Sequence, residues 1–375
     1  MALGKVQINN LNLMQGPFTE YEHYLIFIGR GAGTNEGQLL TANNSSNLDT
    51  LLGAGDSVLK TQVEHARLNA GQNWNCAILP LGDGETWSDG VDYAMTQTNA
   101  EGIVVTDPVT SSAQVEAMQA KAEAIMGQYM RPLWFCAVTE GINNTPSTGE
   151  TWSEYAARIK PVIAGLACEN VTVTLGCWGF EQGTYAGRLC NKSVTVADTP
   201  MRVNTGALVG EWSTLPTDKN GLEVDMSVLA DLERARFSVP QWYPDYPGMY
   251  WSDGNMLDVP GGDYQVIENL RVVHKAMRRI YPLAVARIGN RVLNSTPASI
   301  EANKTYFQRP LREMSKTTEL LGIPFPGEIH PPKDDSIVIT WKTKYDVEIF
   351  MTVQPYNCPK SITVNIALDL TNYAA

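Results

Sequence analysis

The residues of this chain that could support chemistry are four histidines, six cysteines and one glycine-rich turn. No two histidines have the His-x-x-x-His spacing of a helical zinc site. No Cys-x-x-Cys pair is present, and scattered cysteines of this kind are typical of reduced, structural thiols. The sequence also lacks a Gly-x-Ser-x-Gly nucleophile motif. The sequence therefore indicates no catalytic residue and no metal ligand, and we expect that the protein is not an enzyme.

The glycine-rich turn Gly29-Arg-Gly-Ala-Gly33 follows an apolar segment, as the phosphate-binding loop of a nucleotide site would. That fingerprint requires a further glycine where this chain has Thr34, and a helix directly after it. Residues 34–47 instead have the composition of a polar loop. We expect neither a nucleotide nor any other cofactor, and no small-molecule substrate.

Length, net charge and the distribution of apolar residues limit the classes of partner that this protein could bind. The 375 residues are enough for two domains with a substantial core. A formal net charge of −12 at pH 7 is unfavourable for a general nucleic-acid binder, which needs a basic surface. No run approaches the roughly 20 apolar residues of a membrane span, and no signal segment is evident. We expect no nucleic-acid partner, no membrane insertion and synthesis in a reducing cytoplasm.

The clearest local pattern is an aromatic and proline-rich ribbon, residues 242–257, followed by a helix. We expect the ribbon to turn at Ser252-Asp253-Gly254, and the helix to be capped by Asp263 and stopped at Pro282. Cations on one face of this helix are Arg271, Lys275 and Arg278, with Arg279 beside them. This basic face is either a solvated helix surface, a contact for an acidic protein surface or, least favoured, a phosphate site.

Apolar strands and amphipathic helices alternate between residues 24 and 175, which predicts an α/β fold with a buried, mainly parallel sheet. Helices are expected over 56–70, with Asp56 as the cap, and over 112–130, 152–166 and 224–237. A further helix over 298–321 is expected to break at Pro310 and to end at Gly322.

The two ends of the chain have strand patterns of their own. Residues 336–354 predict a long antiparallel hairpin, and the last strand alternates apolar and polar residues up to Leu370. The hairpin positions are Ile337, Ile339, Trp341, Val347, Ile349, Met351 and Val353; those of the terminal strands are Val6, Ile8, Leu11, Leu13, Ile362, Val364, Ile366, Leu368 and Leu370. Each terminal strand either edges its own sheet or is donated to a neighbouring molecule.

The ribbon and its helix also resemble a known family. An aromatic-Pro-Gly-x-aromatic-x-x-Asp-Gly run ends at Gly254, and Arg271-Val-Val-x-Lys-Ala lies in the helix that Asp263 opens. These motifs resemble the contractile tail sheath proteins of bacteriophages and of related injection machines. The resemblance implies a subtilisin-like outer α/β domain without protease function and a smaller α+β inner domain. Its implied boundaries are an arm at 1–22, the outer domain at 23–240, the tube-facing inner domain at 241–355 and a second arm at 356–375.

The resemblance further implies a mechanical function in a virion tail made in the bacterial host cytoplasm. Subunits would stack as sixfold rings around a tail tube, exchange terminal strands with neighbours and contract to drive the tube through the host envelope. The implied partners are the subunit itself, the tube protein, and the baseplate and tail terminator proteins. Candidate tube-facing cations are those of the basic face together with Arg309, Arg312 and Lys316. An α/β hydrolase-like enzyme and a static virion protein remain the alternatives.

Overall fold

A computed structural model of the protein describes residues 21–320 and 322–368. The strands are β1 (Leu25–Arg30), β2 (Leu40–Asn43), β3 (Asn75–Leu81), β4 (Gly102–Val105), β5 (Trp134–Val138), β6 (Val171–Thr174), β7 (Pro240–Tyr243), β8 (Tyr246–Trp251), β9 (Thr318–Leu320), β10 (Ile323–Phe325), β11 (Ile337–Trp341) and β12 (Val347–Met351). The helices are α1 (Leu48–Leu52), α2 (Val58–Asn69), α3 (Trp87–Gln97), α4 (Ser112–Tyr129), α5 (Trp152–Ile159), α6 (Glu181–Leu189), α7 (Met226–Arg234), α8 (Ile267–Val285) and α9 (Pro297–Met314).

A six-stranded sheet with the order β2-β3-β1-β4-β5-β6 forms the centre of the body. All its pairings are parallel except that of β2 with β3. The middle strands are apolar on both faces because helices cover both faces. Within β1, for example, Leu25 and Phe27 contribute to one hydrophobic cluster and Ile26 and Ile28 to the other. The predicted α/β class with a mainly parallel sheet is confirmed.

Helix α6 packs unusually close to α2. A Cβ atom placed on Gly183 would collide with the carbonyl oxygen of Gln62, and one on Gly187 with that of Ala66. The two glycines therefore let one helix lie directly on the backbone of the other. All nine residues of α6 are buried, so the helix has no polar face. Helix prediction from the sequence depends on amphipathic periodicity, which α6 lacks, so this helix was not predicted.

The aromatic ribbon is an antiparallel hairpin of β7 and β8, and its turn is not where the sequence predicted it. The chain reverses before Tyr246, where Asp245 has a φ of 58°, and not at residues 252–254. After β8 the chain stays extended, because Asn255 bridges Val266 and the amide of Ile267 donates to the carbonyl of Gly254.

This bridge delays the start of α8, so the prediction that Asp263 caps the helix is wrong. The cap position is Val266, without a side-chain cap bond, and the preceding turn is held by Asp258. Pro282 lies inside α8, and Pro310 lies inside α9 without ending it. Ser57, not Asp56, caps α2. The start of α8 thus depends on a tertiary bridge, whereas α2 starts at a local cap, the Ser57 hydroxyl that accepts the amide of Lys60.

The C-terminal part has its own hydrophobic cluster beneath α8, α9 and the β11–β12 hairpin. Its buried members are Val196, Val272, Ala276, Leu293, Phe307, Leu311, Met314, Ile329, Ile337 and Ile339. The predicted hairpin is confirmed, with Ile339 opposite Ile349 in register. Five elements were not predicted besides α6: the strand β2 inside the expected polar loop, the helices α1 and α3, and the short β9–β10 pair. Strand β9 lies within the helix predicted over 298–321, which instead ends at Met314.

Candidate assembly surfaces

The predicted basic face of α8 is largely turned into the protein. The side chain of Arg271 is 1% exposed, and its Nε and Nη2 atoms donate to Glu101 at 2.5 and 3.0 Å. Nη2 also donates to the carbonyl of Leu189 at 2.9 Å. The expectation that Arg271 presents its charge on a surface is therefore wrong. The helical spacing was correct, but a carboxylate 170 residues earlier in the chain faces it, which spacing alone does not reveal.

The next cations along α8 are also partnered within the chain. Lys275 donates to Glu328 at 2.7 Å, with both side chains mostly buried. Arg278 donates to the carbonyl of Pro132 at 2.7 Å and lies 3.5 Å from Glu22. We call Glu22, His23, Glu101, Arg271 and Arg278 the buried charge cluster. It joins the start of the described chain and the body to residues 271–278 of α8.

Burial and charge determine the protonation of this cluster. Burial, together with the nearby Arg271, lowers the pKa of His23 to about 4. Burial opposes ionisation of Glu101, but the charge and hydrogen bonds of Arg271 outweigh it and lower that pKa to about 2. Burial next to Arg278 lowers the pKa of His274 to about 3. At neutral pH Glu101 is therefore a charged carboxylate beside the guanidinium groups, while His23 of the cluster and the neighbouring His274 are neutral imidazoles.

The cations of α9 and its exit lie further out. Arg309, Arg312 and Lys316 are exposed. Arg309 lies 3.5 Å from Glu313, an exposed pair one turn apart. Arg312 donates to the side-chain oxygen of Gln308 at 2.8 Å. Arg279, on α8, is half-buried. Any contact of these four residues with a tube stays a prediction.

The C-terminal tail is the most exposed apolar segment among the described residues. Ile362 and Val364 are 74% and 73% exposed, and Ile366 and Leu368 are 92% and 82% exposed. Residues 361–368 form no strand with the described part of their own chain. Leu370 and the N-terminal positions Val6, Ile8, Leu11 and Leu13 lie outside the described residues. The tail thus has a strand-forming sequence without a strand partner in the described chain.

The β11–β12 hairpin has one face packed inward and one open face. Ile337 and Ile339 are buried, and Trp341, Val347, Ile349, Met351 and Val353 are partly buried against the C-terminal cluster. On the opposite face Val338 is 47% and Phe350 56% exposed. The hairpin forms a two-stranded sheet in the described residues, so its edges offer main-chain hydrogen bonds to a further strand.

The described residues offer little else that could act chemically. They contain no group of three or more histidine, cysteine or acidic side chains arranged to hold a metal ion. None of their helices combines the length and apolar character needed to span a membrane. The glycine-rich turn after β1 leads to the antiparallel strand β2 and not to a helix. The features that could serve assembly are the exposed C-terminal tail, the exposed face and edges of the β11–β12 hairpin, and the buried charge cluster at α8.

Two family models together match most of the chain, and a phage protein is similar over nearly the full length. The family model described as DUF2586, N-terminal domain, matches residues 3–255, and DUF2586, C-terminal domain, matches residues 263–371. A protein of Haemophilus phage HP1 (strain HP1c1) named for the tail sheath is 44% identical over 368 residues, covering 97% of this chain and 98% of that protein.

Two solved structures have a similar fold. One is the sheath complex of PVC, an extracellular contractile injection system, in the contracted state: TM-score 0.60, 14% identity, covering 99% of this chain and 98% of the other. The other is the sixfold-symmetrised baseplate of the anti-feeding prophage: TM-score 0.57, 11% identity, covering 99% and 100%. At these identities the similarity concerns the fold.

Proposed function

This chain belongs to the tail sheath family and matches both DUF2586 domain models, and from that premise we propose that its subunits stack as sixfold rings around a tail tube and contract. The observation that carries this proposal is the tail at 361–368, an exposed strand-like sequence of alternating apolar residues in a chain whose β11–β12 hairpin has open edges. A strand of this length donated to a neighbour adds several main-chain hydrogen bonds, each worth roughly 0.5–1.5 kcal/mol.

Donated strands suit a lattice that must change shape without falling apart. The links at 1–22 and 356–375 keep neighbouring subunits connected while the bodies between them rotate. In this proposal residues 23–240 form an outer domain of subtilisin-like topology, and residues 241–355 an inner domain that faces the tube. The extended lattice is metastable, a baseplate signal releases it, and the energy difference between the two lattices drives the tube through the host envelope. No nucleotide hydrolysis is required.

The exposed cations of α9 and its exit are the better candidates for tube contact, since Arg271 is buried. We propose that Arg309, Arg312 and Lys316, together with Arg279, face the tube. Reversing the charge of Arg309, Arg312 and Lys316 should weaken co-assembly of sheath and tube without lowering the melting temperature of the free subunit. Unchanged co-sedimentation with tubes would remove these residues from the interface.

Deleting residues 361–375 tests the proposal most simply. The shortened subunit should stay folded, because the side chains at 362, 364, 366 and 368 are exposed, but it should not polymerise. A control lacking only 372–375 retains the strand positions and should assemble. Negative-stain microscopy distinguishes tubes from single subunits. Normal tubes from the 361–375 deletion would contradict strand donation.

A further inference from the structure

The point at which the C-terminal tail leaves the body is fixed by one lysine. The Nζ atom of Lys360 lies 2.7 and 2.6 Å from the two carboxylate oxygens of Asp253 and 2.7 Å from Oε1 of Glu268. The side chains of Asp253 and Glu268 are only 13% and 8% exposed. Two residues beyond Lys360, Ile362 is already 74% exposed. The ordered contact therefore ends where the exposed tail begins.

The acceptors of Lys360 belong to the two elements on which the sequence resemblance rests. Asp253 follows β8 in the aromatic-Pro-Gly run, and its Oδ1 also accepts the amide of Gly254. Glu268 lies in the first turn of α8. Burial raises the pKa of Glu268, and Lys360 opposes that rise. Without the ammonium group, two nearly buried carboxylates would face each other unneutralised.

The N-terminal segment leaves the body against the same helix. Glu22 lies 3.5 Å from Nη1 of Arg278, and Nδ1 of His23 lies 3.5 Å from Nη2 of Arg271. The amide of His23 also donates to Glu101 at 2.6 Å. Positions 268 and 278 are about 15 Å apart along a helix at 1.5 Å per residue. Residues 268–278 of α8 thus contact the exits of both terminal segments.

We propose that Lys360 is the positioning residue of the C-terminal arm, and that α8 is a strut that joins the exits of both arms within one subunit. Lys360 sets the direction in which the tail leaves, so that its strand reaches the neighbouring hairpin. Tension on the C-terminal arm passes through Glu268 and α8 to Arg271 and Arg278, and from them to the N-terminal arm. This inference rests on the proposed exchange of terminal strands.

The geometry of Lys360 differs from that of an ordinary surface ion pair, which contributes little to stability. The pair of Lys219 with Glu154, at 2.7 Å, has side chains that are 28% and 57% exposed. It provides a matched control away from the hairpin, since Lys219 is about as exposed as Lys360, at 29%, but its acceptor is a solvated carboxylate. Removing Lys219 leaves no buried charge, whereas removing Lys360 leaves two nearly buried carboxylates without their cation.

The test compares Lys360→Met, Lys360→Arg and Lys219→Met in the full chain. For Lys360→Met we expect the concentration needed for tube formation to rise about tenfold, which corresponds to about 1.4 kcal/mol. Lys360→Arg and Lys219→Met should assemble as the unaltered chain does. Amide hydrogen exchange around residues 358–361 of the free subunit should increase in Lys360→Met alone. Wild-type assembly of Lys360→Met would overturn the proposal.

A second variant separates positioning from simple stability. Combining Lys360→Met with Asp253→Asn and Glu268→Gln removes the uncompensated carboxylates and should restore the melting temperature of the subunit. We expect its assembly defect to persist, because the tail still has no ionic attachment. Recovery of assembly together with the melting temperature would show that Lys360 has only a structural role.

The deletion of 361–375 distinguishes failure of the proposed strand donation from failure of the positioning role proposed for Lys360. If that deletion assembles normally, strand donation itself is wrong, and Lys360 has no arm to position. If the deletion fails but Lys360→Met assembles normally, only the positioning role is wrong.

Discussion

At the scale of single residues, the most consequential contact is the ion pair between Arg271 and Glu101. Its two side chains are 1% and 0% exposed. A buried pair of this kind gains little over an apolar pair, but loss of one partner leaves a buried charge without compensation. The pair therefore fixes how α8 sits on the body more than it adds net stability.

Replacement of Arg271 tests this view. Arg271→Met should lower the free energy of unfolding by about 3–5 kcal/mol, because Glu101 stays buried and unpaired. Adding Glu101→Met should recover part of that loss. Arg309→Met, which breaks an exposed pair whose side chains are 79% and 49% exposed, should change it by less than about 1 kcal/mol. Denaturant unfolding measures all three, and equal losses in Arg271→Met and Arg309→Met would contradict the assignment.

The depressed pKa values of the two buried histidines predict a pH dependence with a definite sign. His23 and His274 titrate near 4 and 3 in the folded chain but near 6.5 when unfolded. Below pH 6.5 the unfolded chain binds protons that the folded chain does not, so stability falls as pH falls. Each histidine contributes about 1.4 kcal/mol per pH unit between about pH 6 and 4. Glu101, with a pKa of about 2, adds a further loss below its unfolded value of 4.5.

The measurement is the free energy of unfolding at several pH values between 4 and 7. His23→Gln and His274→Gln should each remove about 1.4 kcal/mol per pH unit from the slope in this range. Slopes identical to that of the unaltered chain in both variants would show that the histidines are already protonated in the folded state.

Residue-scale chemistry was the part that the sequence predicted least well. The cationic positions on α8 follow from helical spacing, but their partners Glu101, Glu22 and Glu328 are distant in sequence. A single sequence does not show which carboxylate meets which guanidinium. The same holds for Lys360, whose acceptors Asp253 and Glu268 lie about 100 residues earlier. The Asp-Gly of the aromatic run is part of the family motif, but nothing local indicates that its carboxylate binds Lys360.

At the scale of elements, the close packing of α2 and α6 gives a sharp prediction. Gly187→Ala should destabilise the chain by about 1–3 kcal/mol, because the added methyl group meets the backbone of Ala66. Gly127→Ala, in the exposed last turn of α4 with open space around it, should stabilise the chain by about 0.5 kcal/mol. Thermal unfolding measures both. A stabilised Gly187→Ala would mean that α6 can move away from α2 at no cost.

Strands and helices with a clear run or alternation of apolar residues were predicted well. Fully buried helices and very short strands were not. The strands β1, β3, β4, β5 and β6 and the hairpin β11–β12 were found from runs and alternation of apolar residues. Helix α6 was missed because every side chain is buried, and β2 because four residues in a polar stretch give no pattern. The delayed start of α8 depends on the bridge between Asn255 and Val266, a tertiary contact.

At the scale of the whole molecule, the chain is an α/β body with a smaller C-terminal cluster and an exposed strand-like tail. Family membership was predicted from one aromatic run and one helix motif, and it is confirmed by the HP1 relative at 44% identity. The route of the tail could not be predicted, because the acceptors of Lys360, Asp253 and Glu268, are distant from it in sequence. Helix α8 contacts Lys360 through Glu268 and Glu22 through Arg278, and these contacts are the basis of the proposed strut.

The central claim is that the C-terminal strand of one subunit completes the hairpin sheet of another. Cryo-electron microscopy of tubes assembled from the purified protein tests it directly. We expect main-chain density for residues 362–368 running along an edge of the β11–β12 hairpin of a neighbouring subunit, with Lys360 still on Asp253 and Glu268 of its own. Density showing the tail folded onto the hairpin of its own subunit, or tubes held together without it, would contradict the account.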